Sequence, residues 1–378
     1  MDKIQSHAKL VIVGGGIMGV SLLYHLTKEG WSDVVLIEKS ELTSGSTWHA
    51  AGQCPHMLSS LNLAKIHLHS TNLYKSLEKE TGQPTGFHET GSLRLAYKKE
   101  DLQWFHYVKG ILDIAGSPCS IISTDEIHKY HPFIKLDGIL GAFYTPEDGY
   151  TDPTSTTNAM AKGARDNGAK IYRKNRVTDI EHLPNGEWKV ITEKGNITCE
   201  HVVNAAGSFC PEVSQMVGIK NVPSINMVHQ YLVTESHPEI EKLDKELPVV
   251  RDPDSSSYLR QEGKGLLIGP YEQDVAAWAL DGMDWKFDME LLEPDLDRIE
   301  KYLERGMDRI PQFKDVGIKR IICGPITHTP DDNFLAGPAP GLKNFWMFCA
   351  ASIGIAHGGG AGQYMAQSPQ APQAWLYL

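Results

Sequence analysis

The sequence predicts an α/β fold in two parts, a parallel-sheet domain and a second domain built on an antiparallel sheet, and three observations lead there. The chain opens on a short apolar run, Leu10-Val11-Ile12-Val13, that ends in Gly14-Gly15-Gly16-Ile17-Met18-Gly19. A second apolar run, Val34-Val35-Leu36-Ile37, follows an amphipathic stretch and carries Glu38 at its tip. Across 227–270 the character changes to short strand-like segments separated by polar turns.

Four consecutive apolar residues make a short buried strand, and the glycines start a helix at its carboxyl end. Gly14 turns the chain tightly, Gly16 admits a pyrophosphate and Gly19 lets the helix pack closely on the strand, while the helix presents its first N–H groups to phosphate. Ile17, Val20, Leu23, Tyr24 and Leu26 give that helix an apolar stripe and Gly30 ends it. The next strand brings Glu38 to where a ribose hydroxyl would sit. Strand, helix, strand and acid in this order form a Rossmann-like βαβ unit for a dinucleotide, and the pattern fits FAD and NAD equally, since both present an adenosine ribose.

A small polar loop over 40–52 follows, along which a flavin could lie, and then a helix over 58–80. Residues 87–97 read as a strand bent at Gly91, and helices follow over 100–115 and 124–130, a block that breaks the βα alternation. Asp152-Pro153 is a strong helix start for 154–167. Strands are expected over 169–172 and 176–180, a hairpin over 188–192 and 196–198, and a buried strand over 201–207 whose small residues admit a dinucleotide against the backbone. The antiparallel set comprises 230–234, 248–251, 256–260 and 266–270. A helix over 290–309, strands over 318–322 and 345–348, and a last helix opening over 354–362 complete the order. We therefore expect a discontinuous cofactor domain (1–90, 145–220 and 320–378) and a substrate domain (91–144 and 221–319).

Composition bounds the function. A chain of 378 residues, 41% hydrophobic and 22% charged, has ordinary globular make-up and room for a sizeable core. Its formal net charge of −11 argues against nucleic acid or an anionic membrane as the main partner. No stretch approaches the roughly 18 apolar residues of a membrane span. The first residues show neither a signal core nor an Arg-rich targeting stretch, so a cytoplasmic location is expected. Cys54, Cys119, Cys199, Cys210, Cys323 and Cys349 show no metal-ligand spacing and read as reduced thiols. His67 and His69 sit two apart on a helix and face different sides, so no metal site is expected.

Three strings go further: Ser44-Gly45-Ser46-Thr47-Trp48-His49-Ala50-Ala51-Gly52; Thr81-Gly82-Gln83 and Gly86-Phe87-His88 with Gly91-Ser92-Leu93-Arg94-Leu95; and His229-Gln230-Tyr231 with Tyr258-Leu259-Arg260-Gln261-Glu262. Together they resemble the FAD-dependent amine oxidoreductases of the D-amino-acid oxidase fold, which shares its cofactor domain type with glutathione reductase, and within them the dimethylglycine and sarcosine dehydrogenases. The resemblance implies FAD, and it puts covalent attachment of the flavin on His49. It places Gly14, Gly16, Ile17, Met18, Gly19, Glu38, Lys39, Ser46, Thr47, Val177, Ala206 and Gly207 at the cofactor. Gly354, Ile355, His357 and Gly358 would form a second flavin segment, with a helix amino terminus at the pyrimidine end, where negative charge gathers on reduction.

The implied reaction is oxidative N-demethylation of a small N-methyl amino acid by hydride transfer to flavin N5, yielding the demethylated amine and formaldehyde. Alternatives are an oxidase of D-amino acids or glycine on the same fold and a non-catalytic flavin-holding subunit. Oxidation requires the amine lone pair, so a group near neutral pKa must take a proton; by resemblance this is His229, with the Tyr258 hydroxyl beside it. The substrate carboxylate needs a guanidinium, for which Arg260 and Arg94 are first in line with Arg251 behind them. The arginine that smaller sarcosine oxidases carry after their early flavin loop has no counterpart among Gly52-Gln53-Cys54-Pro55. The sequence leaves oxygen, an electron-transfer protein such as a flavoprotein, and a quinone open as the electron acceptor. Larger family members append a folate-binding module, and this chain is expected to stop before one, with Ser368-Pro369-Gln370-Ala371-Pro372 breaking the last helix early.

Overall fold

The computed structural model describes residues 4–367, so the expected helix break at 368–372 lies outside the described residues. The first sheet has a parallel centre. Strand His7–Val13 lies between Val34–Ile37 and Gly195–Asn204, and these are flanked in turn by Lys170–Tyr172 and Phe345–Cys349. Leu335–Pro338 adds an antiparallel edge, and the hairpin Val177–His182 with Trp188–Thr192 extends from the long strand. Central strands buried on both faces read as unbroken apolar runs, and Val34–Ile37 is buried throughout.

Helix Ile17–Lys28 lies against strands His7–Val13, Val34–Ile37 and Phe345–Cys349 of this sheet. Ile17–Lys28 is buried along almost its whole length because the last helix, Gly354–Gln367, and helix Pro153–Asp166 pack on it, and helix Leu61–Thr81 packs on both of those. The glycines of the last helix make that possible: a Cβ on Gly362 would stand 2.2 Å from Ser21 Oγ, and one on Gly360 would stand 2.2 Å from the Ile66 carbonyl oxygen. The expected helix start at 58 moves to Leu61, where Ser60 takes the cap position and accepts from the Leu63 N–H. Asp152 caps Pro153–Asp166 in the same way, accepting from the Ser155 N–H at 2.6 Å. Helix Leu296–Arg309 begins six residues later than the acidic run suggested, because Asp295 provides the cap.

The second sheet has nine strands. It is antiparallel except where Val249–Asp252 lies parallel to Ser92–Ala96. Its two longest strands, Ile225–Thr234 and Ile318–His328, pair along nearly their full lengths, and both extend beyond the segments the sequence suggested. The expected domain boundary at 320 falls inside the second of these, which runs with the substrate-side sheet. A separate apolar core lies behind this sheet, with Leu259, Ile268, Ile299 and Phe313 fully buried. Among the described residues no helix is long and apolar enough to cross a membrane.

Candidate active site

Two cavities meet at His49, which lines both. The first, about 180 Å³, runs along the carboxyl ends of the parallel strands. Of the residues expected at the cofactor, Gly14, Gly16, Ile17, Met18, Glu38, Lys39, Ser46, Thr47, Val177, Ala206, Gly207, Gly354 and Ile355 line it. Gly14 has φ +116°, and a Cβ there would stand 2.4 Å from the Ala205 carbonyl oxygen, so the turn admits no side chain. Glu38 Oε2 accepts from the Gly15 N–H at 2.7 Å and Oε1 from the Ser40 N–H at 2.8 Å. Burial pushes its carboxyl pKa up, and these two donors oppose the shift. The Thr47 hydroxyl accepts from the Ile17 N–H at 3.1 Å, tying the loop to the helix start.

Three of the expected cofactor residues lie elsewhere. Gly19 packs the first helix on the turn, since a Cβ there would stand 2.1 Å from the Gly14 carbonyl oxygen. Gly358 does the same for the last helix against Ile17. His357 lines neither cavity; it is buried between His67 and Phe334, each with ring centroids 4.9 Å away, and burial holds it well below the ordinary histidine pKa. The spacing from Gly354 placed these residues in one run, but a helix turns successive side chains away from a cavity at its amino terminus.

Sequence reasoning missed the wall opposite the glycine turn. Met283, Trp285 and Phe287 come from the loop preceding helix Leu296–Arg309 and close over the cavity. Trp285 stacks on Phe209 at 5.0 Å and under Arg176 at 5.2 Å, and Lys39 Nζ donates to the Phe287 carbonyl oxygen at 2.7 Å. The aromatic cluster Trp278, Trp285 and Phe287 was the only signal available.

These residues fit an extended dinucleotide: a turn without side chains, a helix amino terminus, a carboxylate held by backbone donors at the second strand, and a second helix amino terminus at Gly354.

The second cavity, about 220 Å³, lies on the face of the second sheet nearest His49. The register of the two long strands sets His229 opposite Gly324. A Cβ on Gly324 would stand 2.7 Å from His49 Cε1, so this glycine is where the sheet accepts the His49 ring. An isolated glycine in the apolar run Ile321-Ile322-Cys323-Gly324-Pro325-Ile326 was the legible sign of that close approach. Burial lowers the pKa of His49 to about 4, so its ring is neutral at physiological pH. On the same face follow Ile322, Ile326 and His328, the last with its ring centroid 5.2 Å from that of His229.

Tyr258 lines this cavity, where desolvation raises its phenol pKa well above the ordinary value. Its ring occupies the space beside Gly269 on the neighbouring strand, where a Cβ would overlap it. Directly across on the other side stands Arg251.

The arginine ranking changes accordingly. Arg260 lines neither cavity: it pairs with Glu262 at 2.7 Å, donates to the carbonyl oxygens of Gln261 and Ala51, and stacks over Tyr150 at 4.1 Å. Arg94 stacks over Trp104 at 5.0 Å and also lies outside both. Arg251 lines the second cavity, reaches Gln53 Oε1 at 3.4 Å, and has a buried Nε with no hydrogen-bond partner. Residues two apart on one strand share a face but stand about 7 Å apart, so Arg260 falls beyond the pocket that Tyr258 enters.

Fold and cavities define a flavin-dependent oxidoreductase, and the chain belongs to the family described as FAD dependent oxidoreductase, whose model matches residues 9–368. It is 44% identical over 366 residues to dimethylglycine dehydrogenase, mitochondrial, of Rattus norvegicus, covering 96% of this chain and 43% of that protein. It is 35% identical over 370 residues to sarcosine dehydrogenase, mitochondrial, of Homo sapiens, covering 96% of this chain and 40% of that one. The chain thus spans about two fifths of the length of these relatives. Among solved structures it resembles L-proline dehydrogenase from P. horikoshii with a TM-score of 0.86 and 26% identity, over 99% of this chain and 96% of that one.

Proposed function

We propose that this chain oxidises the N-methyl carbon of a small N-methyl amino acid such as dimethylglycine or sarcosine, giving an iminium that water hydrolyses to the demethylated amine and formaldehyde. The observation that carries the reading is the convergence of His229, Tyr258 and Arg251 on a small cavity that shares His49 with the cofactor cavity. FAD, when bound, supplies the acceptor for the hydride leaving that carbon.

The chain's own residues supply the rest. Arg251 holds the substrate carboxylate through its unpartnered Nε and the adjoining guanidinium face, a charge-assisted contact of the strong class. His229 takes the ammonium proton and frees the nitrogen lone pair. Tyr258, kept protonated by burial, donates a hydrogen bond to the substrate while the apolar surfaces of Ile322 and Ile326 limit water around the reacting carbon. The dinucleotide would lie along Gly14–Gly16 with its ribose at Glu38, and His49, neutral and backed by Gly324, would bond covalently to it.

The test is the visible flavin spectrum of the purified protein, recorded without oxygen before and after adding dimethylglycine or sarcosine. Bleaching by either is expected; bleaching only by D-alanine or glycine would move the assignment to the oxidase reading, and indifference to all amines to a flavin-holding role. For attachment, His49→Ala should release the flavin into the supernatant on acid precipitation where the wild type keeps it in the pellet. Colour retained in the variant's pellet would remove His49 from that role.

A further inference from the structure

We propose that Glu272 is a positioning residue that orients and charges His229, with Arg298 as its counter-ion; this rests on the reading of His229 as the proton acceptor. Glu272 follows strand Gly265–Pro270, and its side chain is fully enclosed. Its Oε2 lies 3.4 Å from His229 Nδ1, and its Oε1 lies 3.5 Å from Arg298 Nη2. Neither carboxylate oxygen has a hydrogen-bond partner among the described residues. A buried carboxylate in that state is costly, and the two groups beside it are the ones that offset the cost.

The consequences for His229 follow from imidazole geometry. With the carboxylate at Nδ1, the favoured tautomer carries its proton there, and Nε2 on the opposite side of the ring is left as the acceptor. When Nε2 takes a proton, the imidazolium that forms stands beside a negative group, which favours it. Arg298 works against this by neutralising part of the carboxylate, and it is itself held by donating to the Val228 carbonyl oxygen at 3.2 Å. The remaining groups facing His229 are His328 at 5.2 Å, paired with Asp332 at 2.7 Å, and the backbone of Gly324. Cys323, next to Gly324, donates its Sγ–H to the Glu293 carbonyl oxygen at 3.4 Å. No carboxylate other than Glu272 is recorded in contact with the His229 ring among the described residues.

The experiment is stopped-flow reduction of the FAD-loaded protein by sarcosine or dimethylglycine across pH, for the wild type, Glu272→Gln and Arg298→Gln. Removing the negative charge should slow the plateau rate about tenfold and move the rate profile to lower pH. Substrate affinity should stay within about threefold. Removing the positive charge should move the midpoint to higher pH. Glu272→Asp, which keeps the charge, should restore most of the midpoint, and Arg298→Gln carries the test if the glutamine variant fails to fold. Midpoints unchanged in both variants would overturn the proposal even if rates fell, because a purely structural role moves rate and stability without moving the titration. If no amine reduces the wild type, the functional reading fails and Glu272 is still tested by 15N NMR of the His229 ring: an Nδ1-protonated tautomer supports it and an Nε2-protonated one overturns it.

Discussion

The two cavities are built by different means. The cofactor cavity takes its glycine turn, helix start and acid from one contiguous stretch of about thirty residues in which every spacing is set by local geometry, and Ala206, Trp285 and Gly354 join it from elsewhere in the chain. The second cavity draws His229, Tyr258, Arg251 and Ile326 from four strands of another sheet, and only the pairing register brings them together. Local geometry can be read from a single chain; register cannot, because a shift of one residue would move each side chain to the other face. The two constructions meet at the His49 ring on Gly324, and the cavities also share Ala50, Ile326, Ser352, Gly354 and Ile355.

The largest expected effect is acid loss of the whole fold, driven mainly from the cofactor side. Burial lowers the pKa of His25 to about 3, and those of His49 and His67 to about 4, while the substrate side contributes His131, lowered to about 3. Each folded pKa lies below the unfolded value of about 6.5, so the unfolded chain binds more protons and stability falls as pH drops below about 6.5. At pH 5 each group costs about 2 kcal/mol, and four cost about 8 kcal/mol, comparable to a domain's whole stability. His56 and Asp148, 3.3 Å apart, shift in opposite directions and cancel to first order. Circular dichroism should show cooperative unfolding between about pH 6 and pH 4; a fold unchanged at pH 4 would mean these rings are paired with groups that accept their charge.

Next in size is Gly324→Val, which strikes the joint itself. Its Cβ would stand within 2.7 Å of the His49 ring, so either the ring or the strand must move. Flavin reduction should slow at least about 100-fold, as expected when reacting groups are displaced by about an ångström. Acid-stable flavin should fall in parallel, while Gly14→Ala should lose the cofactor without altering the substrate cavity. A Gly324→Val protein with wild-type flavin retention and reduction would break the claim that this contact couples the cavities.

What the sequence disclosed follows the same division. The Gly14 to Glu38 unit, the caps at Ser60 and Asp152, and the Ser44–Gly52 loop were legible because each is a short-range pattern with its own backbone requirement. His229 and Tyr258 were legible through the strings they sit in. Arg251 was ranked behind Arg260 because nothing in either strand tells which arginine stands opposite Tyr258. Glu272 and Arg298 were invisible, being single charged residues in no motif, joined only by the fold. Proximity in sequence to Gly354 suggests that His357 meets the cofactor, whereas the helix carries it away, between His67 and Phe334.

The smallest effect is also the sharpest test of register, and it compares two arginines. Arg251→Met should raise the substrate dissociation constant measured by flavin perturbation about 10- to 100-fold, since a hydrogen bond to a charged group contributes about 1.5–3 kcal/mol. Arg260→Met should leave that constant within about twofold, because its guanidinium is already engaged by Glu262, the Ala51 carbonyl oxygen and the Tyr150 ring. Its cost should appear in stability instead, about 1–2 kcal/mol, as Glu262 is half-buried and keeps Arg320 at 3.1 Å as a second partner. Thermal denaturation beside substrate titration separates the two. If Arg260→Met weakened binding and Arg251→Met did not, the strand pairing that sets Arg251 opposite Tyr258 would no longer explain how the carboxylate is held, and the substrate would have to enter from the Tyr150 side of the sheet.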